Sequence, residues 1–138
     1  MDPFHMESIT AGGHCAVLRI DGDIDAYAAP QLRHRVTDLA GHGTVHIIAD
    51  LRGAGFLDSA GLGALVGSRT GLRARGGSLA LVASAGRIRQ TLRITGLSDA
   101  FALYSCVLDA ITADQHWQAA VSGERGIAGE WCRKHRLL

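Results

Sequence analysis

The residues Asp50-Leu-Arg-Gly-Ala-Gly-Phe-Leu-Asp58-Ser59-Ala-Gly-Leu-Gly63 join an apolar, strand-like run to the start of an amphipathic pattern. Ser59 therefore falls on the first turn of an expected helix. Four backbone N–H groups lack intrahelical acceptors there, and the dipole end is positive. A phosphate ester on that hydroxyl would meet backbone donors. It would also bring about two negative charges up against Asp58. A serine so placed reads as a two-state switch. Spacing alone is equally consistent with a simple cap, because Asp and Ser are common N-cap residues.

Other chemistries are poorly served. A G-x-S-x-G nucleophile is absent, since Gly55 stands four residues before Ser59 and Ala60 precedes Gly61. The seven histidines are scattered and name no general base. Gly61, Gly63 and Gly67 follow G-x-G-x-x-x-G, inside a helix rather than before one, so they make no dinucleotide loop. No phosphate-loop lysine is present. His14, His34, His42, His46 and His116 lack metal-ligand spacing and read as surface or strand residues. Asp23 and Asp25 follow a strand, where acids cap helices or sit in solvated turns. The reading is a non-enzyme without metal or cofactor.

The elements that must position Ser59 follow from periodicity. His14 to Ile20 and Thr44 to Leu51 read as strands, the second nearly continuous in apolar residues and so covered on both faces. Between them Pro30 suits the first turn of a helix carrying Leu32, Val36 and Leu39. Ser59 to Arg75 is the second helix, with Leu62, Leu65, Val66 and Leu72 on its apolar face. The spacing of Gly63 and Gly67 suggests close packing on the sheet. Ser78 to Ala83 is a further strand, Ile88 and Leu92 mark a short helix, and Phe101 to Tyr104 a last short strand. A final helix is expected from Val107 to about Ala120. Strands alternating with helices give an α/β domain with a largely parallel sheet.

Bulk properties agree with one domain. The chain has 138 residues, a formal net charge of +1 and no apolar run near the length of a membrane span. Nothing in the charge balance calls for direct nucleic-acid or membrane contact. Cys15, Cys106 and Cys132 are odd in number, widely spaced and without CxxC, as expected of reduced thiols in a cytoplasmic protein. The start Met1-Asp-Pro-Phe-His-Met6 lacks signal-peptide features, and residues 1–5 read as a cloning scar outside the fold. Residues 6–113 form the domain. Residues 114–138, with Arg125, Trp131, Arg133, Lys134 and Arg136, read as a helix end followed by a mobile, solvated tail.

Asp58-Ser59-Ala60-Gly61-Leu62-Gly63 resembles the phosphorylatable D-S-x-G-L-G segment of the anti-sigma factor antagonists of the STAS domain family. Asp21-Gly22-Asp23-Ile24-Asp25 is similar to the family's strand-to-helix segment, and Arg93-Ile94-Thr95-Gly96-Leu97 to its short third helix. The resemblance covers residues 8–113. It implies a four- or five-stranded mixed sheet with helices mainly on one side. It also implies a partner-switching cycle. The unphosphorylated protein binds an anti-sigma factor, a serine kinase of the histidine-kinase-like ATPase fold, and so releases a sigma factor. Phosphorylation of Ser59 with ATP and magnesium ends the complex, and a metal-dependent serine phosphatase restores it. On this reading Asp25 lies near the phosphoserine, and the docking residues are Asp25, Phe56, Leu57, Asp58, Ala60, Gly61 and Leu62. Phe56, Leu57 and Leu62 would supply apolar contact, and Gly61 close backbone approach. The competing class is a STAS scaffold or ligand-sensing module without a sigma-factor partner.

Overall fold

Five strands form one sheet in the order β1-β2-β3-β4-β5: His5–Ala11, Cys15–Ile24, His46–Leu57, Ser78–Val82 and Ala102–Tyr104. The computed structural model describes residues 3–84, 86–123 and 127–138, so Met1, Asp2 and Arg125 lie outside the described residues. β1 runs antiparallel to β2, and every other neighbouring pair is parallel. The parallel strands are joined by α1 (Ala29–Gly41), α2 (Ser59–Ala74) and α3 (Arg87–Ile94). Each crossover advances one strand in the same direction. Right-handed crossovers that advance the same way must lie on the same face. Leu32, Val36, Leu65, Leu72, Ile88 and Leu92 accordingly pack together on Leu18, Ile20, Ile47, Ala49 and Leu81. The mixed sheet of four or five strands expected, with helices mainly on one side, is seen with five strands and with the three crossover helices on one face.

The second face of the sheet is also covered. α4 (Val107–Thr112), α5 (Gln115–Gly123) and α6 (Ala128–Lys134) bring Val107, Ile111, Trp117, Val121, Trp131 and Leu137 onto Ile9, Val17, Ile48 and Val82. The expectation of a helix end followed by a mobile, solvated tail over residues 114–138 is therefore corrected for α5, for α6 and for Leu137. The segment's apolar residues make only short stripes, Trp117 with Val121 and Trp131 with Cys132, on helices of nine and seven residues. They find a partner only on a sheet face that distant strands assemble. The single helix expected from Val107 to Ala120 is two helices. Asp114 Oδ1 accepts the N–H groups of His116 at 2.7 Å and Trp117 at 3.3 Å, which caps a new start. At the other end Phe4 packs on the first core and His5 pairs with Asp21. The expectation that residues 1–5 stand outside the fold is corrected at those positions. The strand His5–Ala11 itself was not anticipated from the sequence.

The end of the chain is tied to the sheet by two arginines. Arg52 Nε and Nη2 each donate to the Asp50 carboxylate at 2.8 Å, and the same Nη2 donates to the Leu137 carbonyl at 2.8 Å. Arg19 Nη2 donates to the carbonyls of His135 at 2.7 Å and Arg136 at 2.5 Å. Asp50 is buried, and its hydrogen bond chiefly raises the Arg52 pKa above its ordinary value. Arg52→Met leaves that carboxylate buried without its cation. The expected cost is about 3 kcal/mol in urea denaturation, and a cost under about 1 kcal/mol would contradict the clamp.

Candidate functional site

Two helical segments start side by side at the C-terminal edge of the parallel strands, where open α/β sheets place their sites. Ile24 ends β2, Leu57 ends β3, and the two are paired. Asp25 and Asp58 follow them directly. Asp25 Oδ1 accepts the N–H groups of Tyr27 and Ala28, each at 3.0 Å, and its carbonyl accepts that of Ala29 at 2.8 Å. Asp25 thus builds the turn that leads into α1. The Asp58 N–H donates to the Ile24 carbonyl at 3.3 Å, which locks the start of α2 to the end of β2.

Asp58, not Ser59, is the N-cap of α2. Its Oδ1 accepts the Gly61 N–H at 2.9 Å, and its carbonyl accepts the Leu62 N–H at 2.9 Å. Ser59 is the first helical residue and is exposed. The capping task is therefore filled by its neighbour. The hydroxyl stands beside the N–H groups of Ser59 and Ala60, which helix geometry leaves without intrahelical acceptors. The other hydroxyls of α2 are placed differently. Ser68 is buried, and Thr70 donates to the Val66 carbonyl at 3.0 Å.

The approach to Ser59 is a bulged strand, which runs on past the Leu51 end expected from the sequence. β3 continues past Leu51 to Leu57, while the register slips twice against β2: Arg19 pairs with Asp50, Asp21 with Gly53 and Asp23 with Phe56. Each slip inserts one extra β3 residue, a bulge that twists the strand end and re-aims side chains. At Gly53 a Cβ would stand on the Asp21 carboxylate, so a larger residue there would have to turn that side chain aside. After the bulges Phe56 points out, 42% exposed, and Tyr27, in the turn before α1, is 81% exposed.

The expected docking residues separate on this frame. Phe56 is on the surface, Ala60 and Leu62 are half-buried, and so are Asp25 in its turn and the cap Asp58. Leu57 is only 3% exposed and belongs to the core, so its expected role in apolar docking is corrected. Alternation along the strand turns it inward as Phe56 turns out. Gly61 is corrected too. A Cβ there would collide with the Ile24 carbonyl and stand 2.7 Å from Leu57 Cδ1, so its close approach is to the protein's own β2. Gly63 and Gly67 do not face the sheet. Arg33 of α1 lies over them, donating from Nη2 to the Gly63 carbonyl at 3.0 Å, with its Cζ 3.4 Å from where a Gly67 Cβ would be. Tyr27 was missed in the sequence, because a single aromatic after Asp25 carries no periodic signal.

The thiols offer no competing chemistry. Burial pushes Cys15 and Cys132 up to about 11, with Asp114 and Cys106 respectively adding to the rise. Both thiols stay protonated and weakly nucleophilic near neutrality.

The comparisons with known proteins agree with this geometry. The STAS domain family matches residues 7–110. The anti-sigma-B factor antagonist of Bacillus subtilis (strain 168) is 39% identical over 82 residues, which are 59% of this chain and 74% of that protein. A crystal structure of an anti-sigma factor antagonist from Mycobacterium paratuberculosis superposes with a TM-score of 0.72 at 28% identity, covering 80% of this chain and 93% of that one. The phosphorylated form of the Bacillus cell fate determinant SpoIIAA shares the fold, with a TM-score of 0.61 at 24% identity over 80% of this chain and 98% of that one. With the match spanning both strand ends and both helix starts of the Ser59 edge, the chain belongs to the STAS domain family and, within it, to the anti-sigma factor antagonists.

Proposed function

We infer that this protein, in its unphosphorylated form, binds an anti-sigma factor that is a serine kinase of the histidine-kinase-like ATPase fold, and that phosphorylation of Ser59 ends the complex. Binding frees a sigma factor, and a metal-dependent serine phosphatase returns the protein to its binding form. The cycle runs in the cytoplasm and needs no cofactor held by this chain. The observation that carries the reading is the exposed Ser59 hydroxyl on the first turn of α2, with Asp58 occupied as the cap. The γ-phosphoryl group of the kinase's ATP passes to Ser59 Oγ. Exposed Tyr27 and Phe56 supply the apolar contact, and half-buried Ala60 and Leu62 the flank.

Charge explains the switching without a change of fold. Asp23 pairs with Phe56, and Asp25 and Asp58 begin the two helical segments, so the edge is already acidic. A phosphate adds about two charges to that edge. Inside a packed interface those charges lose water and face like charge, at a cost of several kcal/mol. Each roughly 1.4 kcal/mol is a tenfold loss of affinity.

Incubation with the cognate kinase and ATP labels the wild type and leaves Ser59→Ala unlabelled. Strong residual label on that variant contradicts the assignment. Ser59→Asp weakens the kinase complex by about 1–3 kcal/mol in titration calorimetry while Ser59→Ala retains it. Equal affinities in two folded variants would remove the charge mechanism. Tyr27→Ala loses about 1–2 kcal/mol of binding with little change in stability. Leu57→Ala instead loses about 2–5 kcal/mol of stability, as a core deletion does. Thermal melts run beside the titrations separate the two effects.

A further inference from the structure

At the end of the sheet opposite Ser59, three imidazoles distant in the sequence come together. His14 lies in the turn between β1 and β2, His46 opens β3, and His116 is in the first turn of α5. With Gly12, Cys15 and Gln115 they line an open cavity of about 690 Å³. His46 and His116 stack face to face, their ring centroids 4.0 Å apart and their planes 13° from parallel. His46 is only 7% exposed, and its Nδ1 shares a hydrogen bond of 3.0 Å with Ser78 Oγ on β4. Stacked rings send their lone pairs out in parallel planes and do not converge on one ion. Among the described residues no group of His, Cys, Asp or Glu is placed to hold a metal.

The stack seats α5 on the sheet. Trp117, the next residue, is buried in the second core, and the Cys15 thiol donates to the His116 carbonyl at 3.8 Å. The geometry points to an acid-operated latch: the His46–His116 stack holds α5 on the sheet, and protonation of His46 releases it.

The groups facing His46 set the sign. Burial lowers its pKa below the ordinary 6.5, His116 across the stack lowers it further, Asp114 opposes this, and His14 adds to the lowering. Asp114 is also engaged through Oδ1 with the N–H groups of His116 and Trp117. Cys15 and Ser78 bring no charge, since the thiol stays protonated. The undocked chain takes up a proton on His46 with ordinary affinity, and the docked chain resists it. Docking is therefore complete above about pH 6.5 and weakens as pH falls below it. Release uncovers Ile9 and Val17 on the sheet.

Trp117 on α5 and Trp131, edge-on to it at 5.6 Å, are the chain's two tryptophans and both are buried in the second core, so the wavelength of their emission reports the latch, and the histidine variants separate this from the His135 ring 4.7 Å from Trp131. The test follows emission and far-UV circular dichroism of the full chain from about pH 8 to about pH 4.5, the range in which histidine titrates. It compares the wild type with His46→Gln and His116→Gln. The wild type should shift to the red with a midpoint below about 6.5 while keeping most of its dichroism. Both variants should lose that transition or move its midpoint by more than about one pH unit. A wild type with flat emission, or a variant with an unchanged transition, overturns the latch. If His46→Gln is unfolded at about pH 8, His116→Gln decides, because that side chain is exposed and is not itself part of the core.

Discussion

A parallel sheet that is apolar on both faces has to be covered twice, and the rest of this molecule depends on that requirement. β3 shows it residue by residue. Ile47, Ala49 and Leu51 turn to the first core, while Ile48 turns to the second. Connections of one hand can cover only one face when the strand order advances steadily in one direction. The first face is thus closed by the crossovers, and the second must be closed by chain that follows the last strand. The C-terminal helices meet that need. Removing water from Trp117 and Trp131 supplies the largest single contributions from that segment, on the order of 1.5–3 kcal/mol for each large side chain.

The arginine clamp follows from the same arrangement. Asp50 and Arg19 face the second side from the middle of the sheet, where an unpaired charge would be costly. Arg52 satisfies Asp50, and with Arg19 it takes up carbonyls at the end of the chain that have no helical or sheet partner. Polar groups at the sheet centre and polar groups at the chain end are thereby satisfied by one another. This makes the position of Leu137 specific, where apolar packing alone would tolerate sliding.

The two ends of the sheet carry different chemistry for a structural reason. The C-terminal strand edge gathers helix starts, with their free N–H groups, and the bulges in β3 turn Phe56 outward beside them. The N-terminal edge gathers strand starts and the β1–β2 turn, and the imidazoles of His14, His46 and His116 surround a cavity there. The Ser59 edge needs an open surface. The imidazole edge instead joins the late helices to the sheet, and its titratable groups act on packing.

By itself the sequence determined the local pattern: the strand and helix order of the crossovers, the helix start at Asp58-Ser59, and the motif that resembles one family's. Those features rest on residues within one or two turns of each other, where spacing and capping act directly. Tertiary structure alone decided which residues of that motif face out. Leu57 and Phe56 are adjacent and both apolar, and only pairing with β2 turns one in and the other out. It decided likewise that Gly61 serves the β2 contact, that Arg33 covers Gly63 and Gly67, and that Trp117, Val121, Trp131, Cys132 and Leu137 belong to the core. The bond from Arg19 to His135 spans 116 positions. No window of local sequence contains both partners, so the order in that segment exists only once the sheet has formed the surface it binds.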